Sequence, residues 1–437
     1  MTTLKITPVK LTGNVCVPSS KSMGHREIIC AGLADGSSIV DNISMSADME
    51  ATLRCLDALG ISFTRVPSAR EGRTALAISG SGTVRAAKSC ADCGESGSTL
   101  RFMIPLGALC GAPLTFKGHG KLVERPLKAY YDIFDRQGLH YETAAAGHLP
   151  LTLDGVLQSG AYQLPGNVSS QFISGLLFAL PLLAGDSLVT ITSPLESQSY
   201  VDLTLSCLAK YGIVIEHENY LKYHIRGGQK YRSGKNMVEG DWSQTAFWLV
   251  AGTLGGAVTC TGLSSGSLQG DRVVAEIINR MGGKVTAAVT GDHTATPAAT
   301  KGVVIDAADC PDIIPVLAVL ASVSTGTTEI INAGRLRIKE CDRLAAMAAE
   351  LNKLGADVTE LPEGLLIKGK PEGLQGGTVD AWNDHRIAMS LAVASIVCRE
   401  AVVINGSECV QKSYPEFWQD FTTLGGQCET MGTGESV

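Results

Sequence analysis

The stretch DMEATLRCLDALG, Asp48 to Gly60, decides how the chain is read, because its pattern returns five more times. It is a short helical segment closed by a glycine and followed by a β-rich segment. Further copies run from Arg125 to Gly138, Tyr200 to Gly212, Asp271 to Gly282, Asp342 to Gly355 and Pro415 to Gly425, the closing glycines lying 70 to 78 residues apart. That period exceeds the roughly 20 to 50 residues of a solenoid unit, so each copy is expected to be a small α/β unit of its own. Six such units divide naturally as three plus three.

A second helix recurs between the first ones. It starts near Ser20, Ser96, Ser169, Asp241, Asp312 and Asp384, each time with a capping-type residue, then polar or charged residues, then an apolar run suited to a buried helix. The polar chemistry therefore gathers at helix starts, where unpaired N–H groups and a partial positive charge make a natural anion site. One exposed helix end contributes about 0.3–1 kcal/mol, up to ~2 when partly buried. Six of them directed into one cleft, with Lys and Arg added, would make a strong anion trap.

The chain has 437 residues, more than a single core usually serves, so at least two domains are expected. Hydrophobic residues make up 45%, which argues against disorder. The longest apolar run, Phe172 to Gly185, is too short to span a bilayer and no stretch reads as a signal peptide; a soluble cytoplasmic monomer is expected, without membrane partners. Thirteen irregularly spaced cysteines fit reduced thiols, and the lone pair Cys90 and Cys93 reads as structural or incidental. A net charge of −7 argues against nucleic acid as a partner, but not against a small anion.

Segments such as HLPLTLDG, SLVTITS, YLKYHIRGG and GLLIKG alternate apolar and polar residues as half-buried strands do. The glycine-rich stretch Gly227 to Gly240 suits a domain crossover. If Met1 to about Val15 forms a strand that completes the second half, the chain crosses twice, giving one domain of residues 16–239 and another of 1–15 plus 240–437. Residues from about Thr430 onward read as a loose tail.

Lys21, Ser22 and Arg26 stand at a helix start in PSSKSMGHRE, which lacks the glycines of a P-loop. Arg125 and Pro126 are expected to open a helix, and an arginine there can hold a carboxylate or phosphate in bidentate fashion. Ser169, Ser170 and Gln171 suit a phosphate oxygen and serve equally as an ordinary cap, with Ser197 and Tyr200 extending that polar wall. In RLRIKECDRL the charges Arg335, Arg337, Lys339, Glu340, Asp342 and Arg343 are concentrated before and within a helix's first turn, unlike a merely solvated face. Asp384, His385 and Arg386 stand at the mouth of a buried helix. Lys412 by itself reads as a surface lysine.

Together these residues make the chain resemble the 5-enolpyruvylshikimate-3-phosphate synthases (3-phosphoshikimate 1-carboxyvinyltransferases), of the enolpyruvyl transferases, over essentially its whole length. The matching motifs are KSMGHR at 21–26, SGSTLR at 96–101, ERP at 124–126, SSQ at 169–171, RIKECDR at 337–343, NDHR at 383–386 and KSYP at 412–415. The resemblance implies two similar α/β domains, each of three βαβαββ units about a pseudo-threefold axis, with the active site in the cleft and closure on substrate. It implies transfer of the enolpyruvyl group of phosphoenolpyruvate to the 5-hydroxyl of shikimate-3-phosphate, without metal or other cofactor. It assigns catalysis to Lys21, Asp312 and Glu340. Shikimate-3-phosphate is expected to meet Lys21, Ser22, Arg26, Ser169, Ser170, Gln171, Ser197, Tyr200, Asp312 and Lys339. Phosphoenolpyruvate is expected to meet Lys21, the Gly97 N–H, Arg125, Gln171, Arg343, His385, Arg386 and Lys412.

Two positions depart from familiar members: Glu95, where Asn is frequent, and Arg335, where some have Asn. The related UDP-N-acetylglucosamine enolpyruvyl transferases carry a reactive cysteine in the loop before Arg-Pro and Asn beside the first lysine. This chain has no cysteine from Lys117 to Glu124, and Ser22 beside Lys21, so the sugar nucleotide is the lesser alternative. A noncatalytic ring or clamp around nucleic acid would need a basic inner face, against which the acidic net charge counts.

Overall fold

The computed structural model describes residues 2–70 and 73–431. In chain order its helices are α1 (Lys21–Leu33), α2 (Ala47–Ala58), α3 (Gly97–Gly107), α4 (Lys128–Gln137), α5 (Ser170–Ala179) and α6 (Gln198–Lys210). They continue with α7 (Trp242–Leu254), α8 (Val274–Arg280), α9 (Ile314–Ser322), α10 (Arg343–Lys353), α11 (His385–Ala394) and α12 (Phe417–Thr423). The even-numbered helices are the glycine-closed series. All six glycines have positive φ, from 65° at Gly138 to 97° at Gly282 and Gly425, the backbone region in which any other residue would strain its Cβ.

The odd-numbered helices are the buried ones. Every residue of α9 and α11 is buried, and α7 exposes little beyond its last residue. The expected caps are in place at five of six starts: Ser20, Ser96, Ser169, Asp241 and Asp384 each accept a first-turn backbone N–H. Asp312 is the exception. It lies in the 3-10 turn Pro311–Ile313 ahead of α9 and makes no side-chain cap, because strong cationic partners claim its carboxylate. A second correction concerns Arg125 and Pro126, which do not open a helix: Arg125 follows the 3-10 turn Gly120–Glu124, and α4 begins at Lys128.

Six four-stranded sheets, among the described residues, share one plan. In one, Cys90–Asp92 runs parallel to Leu114–Lys117, which pairs antiparallel with Leu151–Asp154, itself antiparallel to His140–Thr143. With the two intervening helices this is a βαβαββ repeat. The parallel pair spans a crossover through a buried helix, as parallel strands require, and the last two strands form a hairpin.

Contacts divide the chain into two compact units, Ser19–Val238 and Met1–Pro18 with Glu239–Val437, each holding three repeats. In the first, Lys235–Met237 supplies the parallel edge strand beside Asp35–Ile43. In the second, the opening residues form two strands rather than the one expected. Thr3–Thr7 lies antiparallel between Val402–Asn405 and Gln427–Met431, and Gly13–Cys16 pairs parallel with Val258–Thr261. The last of these strands reaches Met431, so Thr430 and Met431 are not loose tail; residues 432–437 lie outside the described residues. Each unit has its own core, with α1, α3, α5 and α6 packed together in one and α7, α9 and α11 in the other.

Candidate active site

In the unit Ser19–Val238 the polar groups converge at the starts of α1, α3 and α5. Lys21, the first residue of α1, pairs with Asp48 at 2.9 Å, both largely shielded from solvent. Arg26, one turn on, is buried and donates to the Ser22 carbonyl (2.6 Å), the Tyr200 carbonyl (2.9 Å) and the Thr204 hydroxyl (2.8 Å). Burial pulls its pKa down to about 10, and its guanidinium sits 5.2 Å from the centre of the Phe102 ring. Arg26 thus ties α1 to α6 and fixes the backbone at both Ser22 and Tyr200. Ser197, just before α6, is buried in the left-handed region at φ 55°, a conformation that costs a non-glycine residue ~1–3 kcal/mol and is held by its surroundings.

Gly97 begins α3 with Arg125 against its backbone: a Cβ there would lie 2.5 Å from Arg125 Nη1 and 3.3 Å from Arg101 Nη1. A backbone N–H at a helix start and two guanidinium groups are therefore brought to one place, and a Cβ at Gly97 would push the Arg125 guanidinium out of it. Arg101 Nη1 donates to Gln171 Oε1 (2.7 Å), while Gln171 Nε2 donates to the Ser98 hydroxyl (2.7 Å). That pair of bonds fixes Gln171 between α3 and α5. Beneath them a buried chain of hydroxyls, His25 Nδ1 to Thr52 (2.7 Å), Thr52 to Thr99 (2.7 Å) and Thr99 to Ser96 (2.8 Å), joins the first turns of α1 and α3 through α2. Burial, with Lys21 and Arg26 nearby, holds His25 well below its ordinary pKa, so it is neutral.

In the other unit the arrangement is ionic. Arg343, at the start of α10 and 1% exposed, donates to Asp312 Oδ1 (2.9 Å), Glu340 Oε2 (2.7 Å) and, through Nε and Nη2, to Asp384 (2.8 and 3.3 Å). Asp312 is held as well by Lys339 (3.4 Å) and Arg386 (3.3 Å), and Arg386 Nη1 donates to its carbonyl (3.0 Å). Burial pushes the Asp312 carboxyl up, but Arg386, Lys339 and Arg343 together outweigh it and hold the group well below the usual range. Burial likewise works against Arg343, and Asp384, Glu340 and Asp312 more than restore its charge. For Lys339 burial wins over the nearby Asp312, and its pKa falls. Three cations and three carboxylates alternate in one cluster.

His385 is buried at the start of α11 with Nδ1 3.9 Å from Asp384, and Lys412 donates to the Asn383 carbonyl (2.8 Å). Trp382 and Asn383 are both left-handed, at φ 53°. The Trp382 indole N–H donates to Glu350 on α10 (2.7 Å), and the Asp380 N–H donates to the same carboxylate (3.0 Å). Arg335 donates to the Ala308 carbonyl (2.6 Å).

The structure thus groups Lys21, Ser22, Arg26, Gly97, Arg125, Ser169, Ser170, Gln171, Ser197 and Tyr200 in one unit, and Asp312, Lys339, Glu340, Arg343, His385, Arg386 and Lys412 in the other. Sequence reasoning missed Arg101 as a site group, although it stands inside a quoted motif, and placed Asp384 at a helix mouth without its pairing to Arg343. It also missed half-buried Asp48 and buried Glu350, partners far off in sequence that no local pattern signals. Glu95 tucks beneath the turn at Gly120, where a Cβ would lie 2.8 Å from its carboxyl carbon, and its carboxylate is 3.8 Å from His119 Nε2. Cys110 lies three residues past α3, outside the Lys117–Glu124 loop. No group of three or more His, Cys, Asp or Glu among the described residues could hold a metal ion, and none of their helices is long and apolar enough to cross a membrane.

Two units of three βαβαββ repeats, with polar and cationic groups gathered at helix starts in one and a cluster of three cations and three carboxylates in the other, are the frame that the comparisons with known proteins meet. A family profile described as EPSP synthase (3-phosphoshikimate 1-carboxyvinyltransferase) matches residues 6–421, and the chain belongs to that family. A relative from Clostridium kluyveri, named 3-phosphoshikimate 1-carboxyvinyltransferase, is 51% identical over 432 residues, 99% of each chain. One of the same name from Clostridium acetobutylicum is 49% identical over the full length of both. The solved EPSP synthase from Acinetobacter baumannii superposes with a TM-score of 0.82 at 26% identity, covering 99% of this chain and all of its own. The enolpyruvyl transferase NikO from Streptomyces tendae shares the fold, with a TM-score of 0.79 at 16% identity and 98% of each chain covered.

Proposed function

We infer that this enzyme transfers the enolpyruvyl group of phosphoenolpyruvate to the 5-hydroxyl of shikimate-3-phosphate, releasing phosphate, in the route to aromatic amino acids. The reaction is an addition followed by an elimination. A proton goes to the methylene carbon, making it a methyl, while the hydroxyl gives up its proton as its oxygen bonds the neighbouring carbon; the tetrahedral adduct then loses phosphate as the methyl gives a proton back and the double bond re-forms.

The observation behind the residue assignments is the Arg343 hub, which holds Asp312 and Glu340 on one guanidinium. Two carboxylates so placed can hold separate protons for the two steps, each such group typically contributing ~10²- to 10⁴-fold. We assign Asp312 to orient the 5-hydroxyl and take its proton, and Glu340 to deliver the proton to carbon. With three cations on it Asp312 is a weak base. Phosphate or carboxylate groups bound to Arg386 or Lys339 would draw that charge away and strengthen the base when substrate is present. Lys21 stabilises charge developing on the enolpyruvyl group.

For phosphoenolpyruvate we propose Lys21, the Gly97 N–H, Arg125, Gln171, Arg343, His385, Arg386 and Lys412. For shikimate-3-phosphate we propose Lys21, Ser22, Arg26, Ser169, Ser170, Gln171, Ser197, Tyr200, Asp312 and Lys339. The paired sulfurs Cys30 and Cys207, and Cys55 and Cys93, each 3.7 Å apart as thiols, suit a reducing compartment, and we place the enzyme in the cytoplasm. The test is phosphate release from phosphoenolpyruvate. Release with shikimate-3-phosphate and none with UDP-N-acetylglucosamine is expected, and comparable turnover with the sugar nucleotide would overturn the acceptor.

A further inference from the structure

Glu350 is a buried carboxylate on α10, 1% exposed, that the assignments above leave without a task. Its two oxygens take four hydrogen bonds. Lys353 Nζ donates to both (2.9 and 2.8 Å), the Trp382 indole N–H to Oε1 (2.7 Å) and the Asp380 backbone N–H to Oε2 (3.0 Å). Lys353 is half exposed and has water as an alternative; the other two donors belong to the turn that leads from the strand Gly377–Asp380 into α11.

That turn is strained. Trp382 and Asn383 are consecutive left-handed residues, both at φ 53°, and while asparagine tolerates that region, a tryptophan there is held against its own preference. Three bonds hold it: Asp380 Oδ1 accepts the Trp382 backbone N–H (2.6 Å), the Ala381 carbonyl accepts the Asp384 N–H (2.9 Å), and Glu350 takes the indole. The outcome is the direction of the Asn383 carbonyl, which accepts from Lys412 Nζ at 2.8 Å. Lys412 closes the 3-10 turn Ser407–Lys412, and the next residue, Ser413, accepts from Gln244 on α7 at 2.8 Å, so the backbone beside that lysine is fixed as well. An ammonium has three N–H donors, and a bond to a fixed carbonyl sets the directions of the other two.

We propose that Glu350, acting through Trp382 and Asn383, is a positioning residue that aims the Lys412 ammonium at phosphoenolpyruvate. This rests on the reading of Lys412 as a phosphoenolpyruvate ligand. Without the indole bond the strained pair relaxes, the Asn383 carbonyl turns and the ammonium spreads over its rotamers, so the anion is held less well. Asp312 and Glu340, held separately by Arg343, keep their places.

The experiment measures kcat and the KM for each substrate in the wild type, Glu350→Gln, Trp382→Phe, Lys412→Met and the double variant Trp382→Phe with Lys412→Met. Trp382→Phe removes the indole N–H and keeps a ring at a position 37% exposed, so the fold bears it. It is expected to raise KM for phosphoenolpyruvate about 5-fold, to leave that for shikimate-3-phosphate unchanged and to lower kcat less than about 2-fold. Glu350→Gln, which has one acceptor oxygen for donors that now use two, should raise the same KM at least as far. Lys412→Met is expected to raise it about 10-fold or more, and adding Trp382→Phe to it should change nothing further, because the indole acts through that ammonium. A purely structural bond would lower stability and leave KM alone, or act equally with and without Lys412. Wild-type KM in Trp382→Phe, or an equal rise on the Lys412→Met background, therefore overturns the proposal even if Glu350→Gln does not fold. Wild-type KM in Lys412→Met overturns the proposal together with the reading of Lys412, whereas a raised KM there with none in Trp382→Phe overturns the proposal alone.

Discussion

On the proposed assignments the two units both hold small anions near helix starts, yet they cap those helices in opposite ways. In Ser19–Val238 the caps of α1, α3 and α5 are the neutral hydroxyls of Ser20, Ser96 and Ser169; in the other unit those of α7 and α11 are the carboxylates of Asp241 and Asp384. A hydroxyl satisfies a first-turn N–H without cancelling the partial positive charge of the helix end. A carboxylate cancels that charge itself. The serine-capped unit can therefore bind anions with helix ends helped by Arg125 and Lys21. The aspartate-capped unit must use full cations, and Arg386, Lys339 and Arg343 there also hold Asp312, which we assign to proton transfer, in its charged form. On the proposed assignments the first unit contributes the helix-end anion sites and Lys21, and the second contributes the two proton-moving carboxylates beside Arg343, His385, Arg386 and Lys412.

If that contrast is right, the largest loss follows from Arg343→Met. It would leave Asp312, Glu340 and Asp384 repelling one another in a buried cluster, at a cost of about 3–5 kcal/mol in stability. Turnover should fall on the order of 10³-fold in whatever folds. Denaturant unfolding and steady-state kinetics read the two effects. A stable, active Arg343→Met would mean the cluster is not the acid–base centre.

Next in size is Glu340→Gln, which keeps shape but removes the exchangeable proton. We expect kcat to drop roughly 10²-fold or more with a modest change in KM. Near-normal kcat would pass the proton to Lys21, with Lys21→Met as the variant to measure.

Much of this contrast was legible in the sequence. The six glycines, each in the left-handed region at a helix C-terminus, marked the repeat, and the Ser and Asp caps marked the buried helices. Asp312 broke the capping pattern because a capping residue and a residue gripped by three cations look alike in sequence. Arg125 was misplaced by a rule that is sound for Pro at a helix's first turn, whereas here the chain spends Pro126 and Leu127 in the approach to α4. Asp48, Asp271 and Glu350 were illegible as partners, since each meets its counterpart across roughly 30 residues through packing of different elements.

In the serine-capped unit, Arg125→Ala should raise KM for phosphoenolpyruvate about 10- to 100-fold and largely spare kcat, because hydrogen bonds to charged groups are worth about 1.5–3 kcal/mol. The guanidinium lies against Gly97, so the loss should be specific to the ligand at that helix start. An equal loss for shikimate-3-phosphate would show that the two ligands are not separated as proposed.

The smallest and most discriminating effect concerns the caps themselves. Ser169→Asp converts a neutral cap into the kind used by the other unit. The new carboxylate can still accept the Gln171 N–H that Ser169 accepts at 3.3 Å, so stability should stay within about 0.5 kcal/mol of the wild type. It should also cancel the charge of the α5 end and repel a phosphate there. At about 0.3–2 kcal/mol for such a helix end, KM for shikimate-3-phosphate should rise roughly 2- to 30-fold, and Ser169→Asn, a cap without charge, should leave it unchanged. If the aspartate variant binds shikimate-3-phosphate as tightly as the wild type, the α5 start does not meet its phosphate, and the serine caps of this unit reflect folding alone.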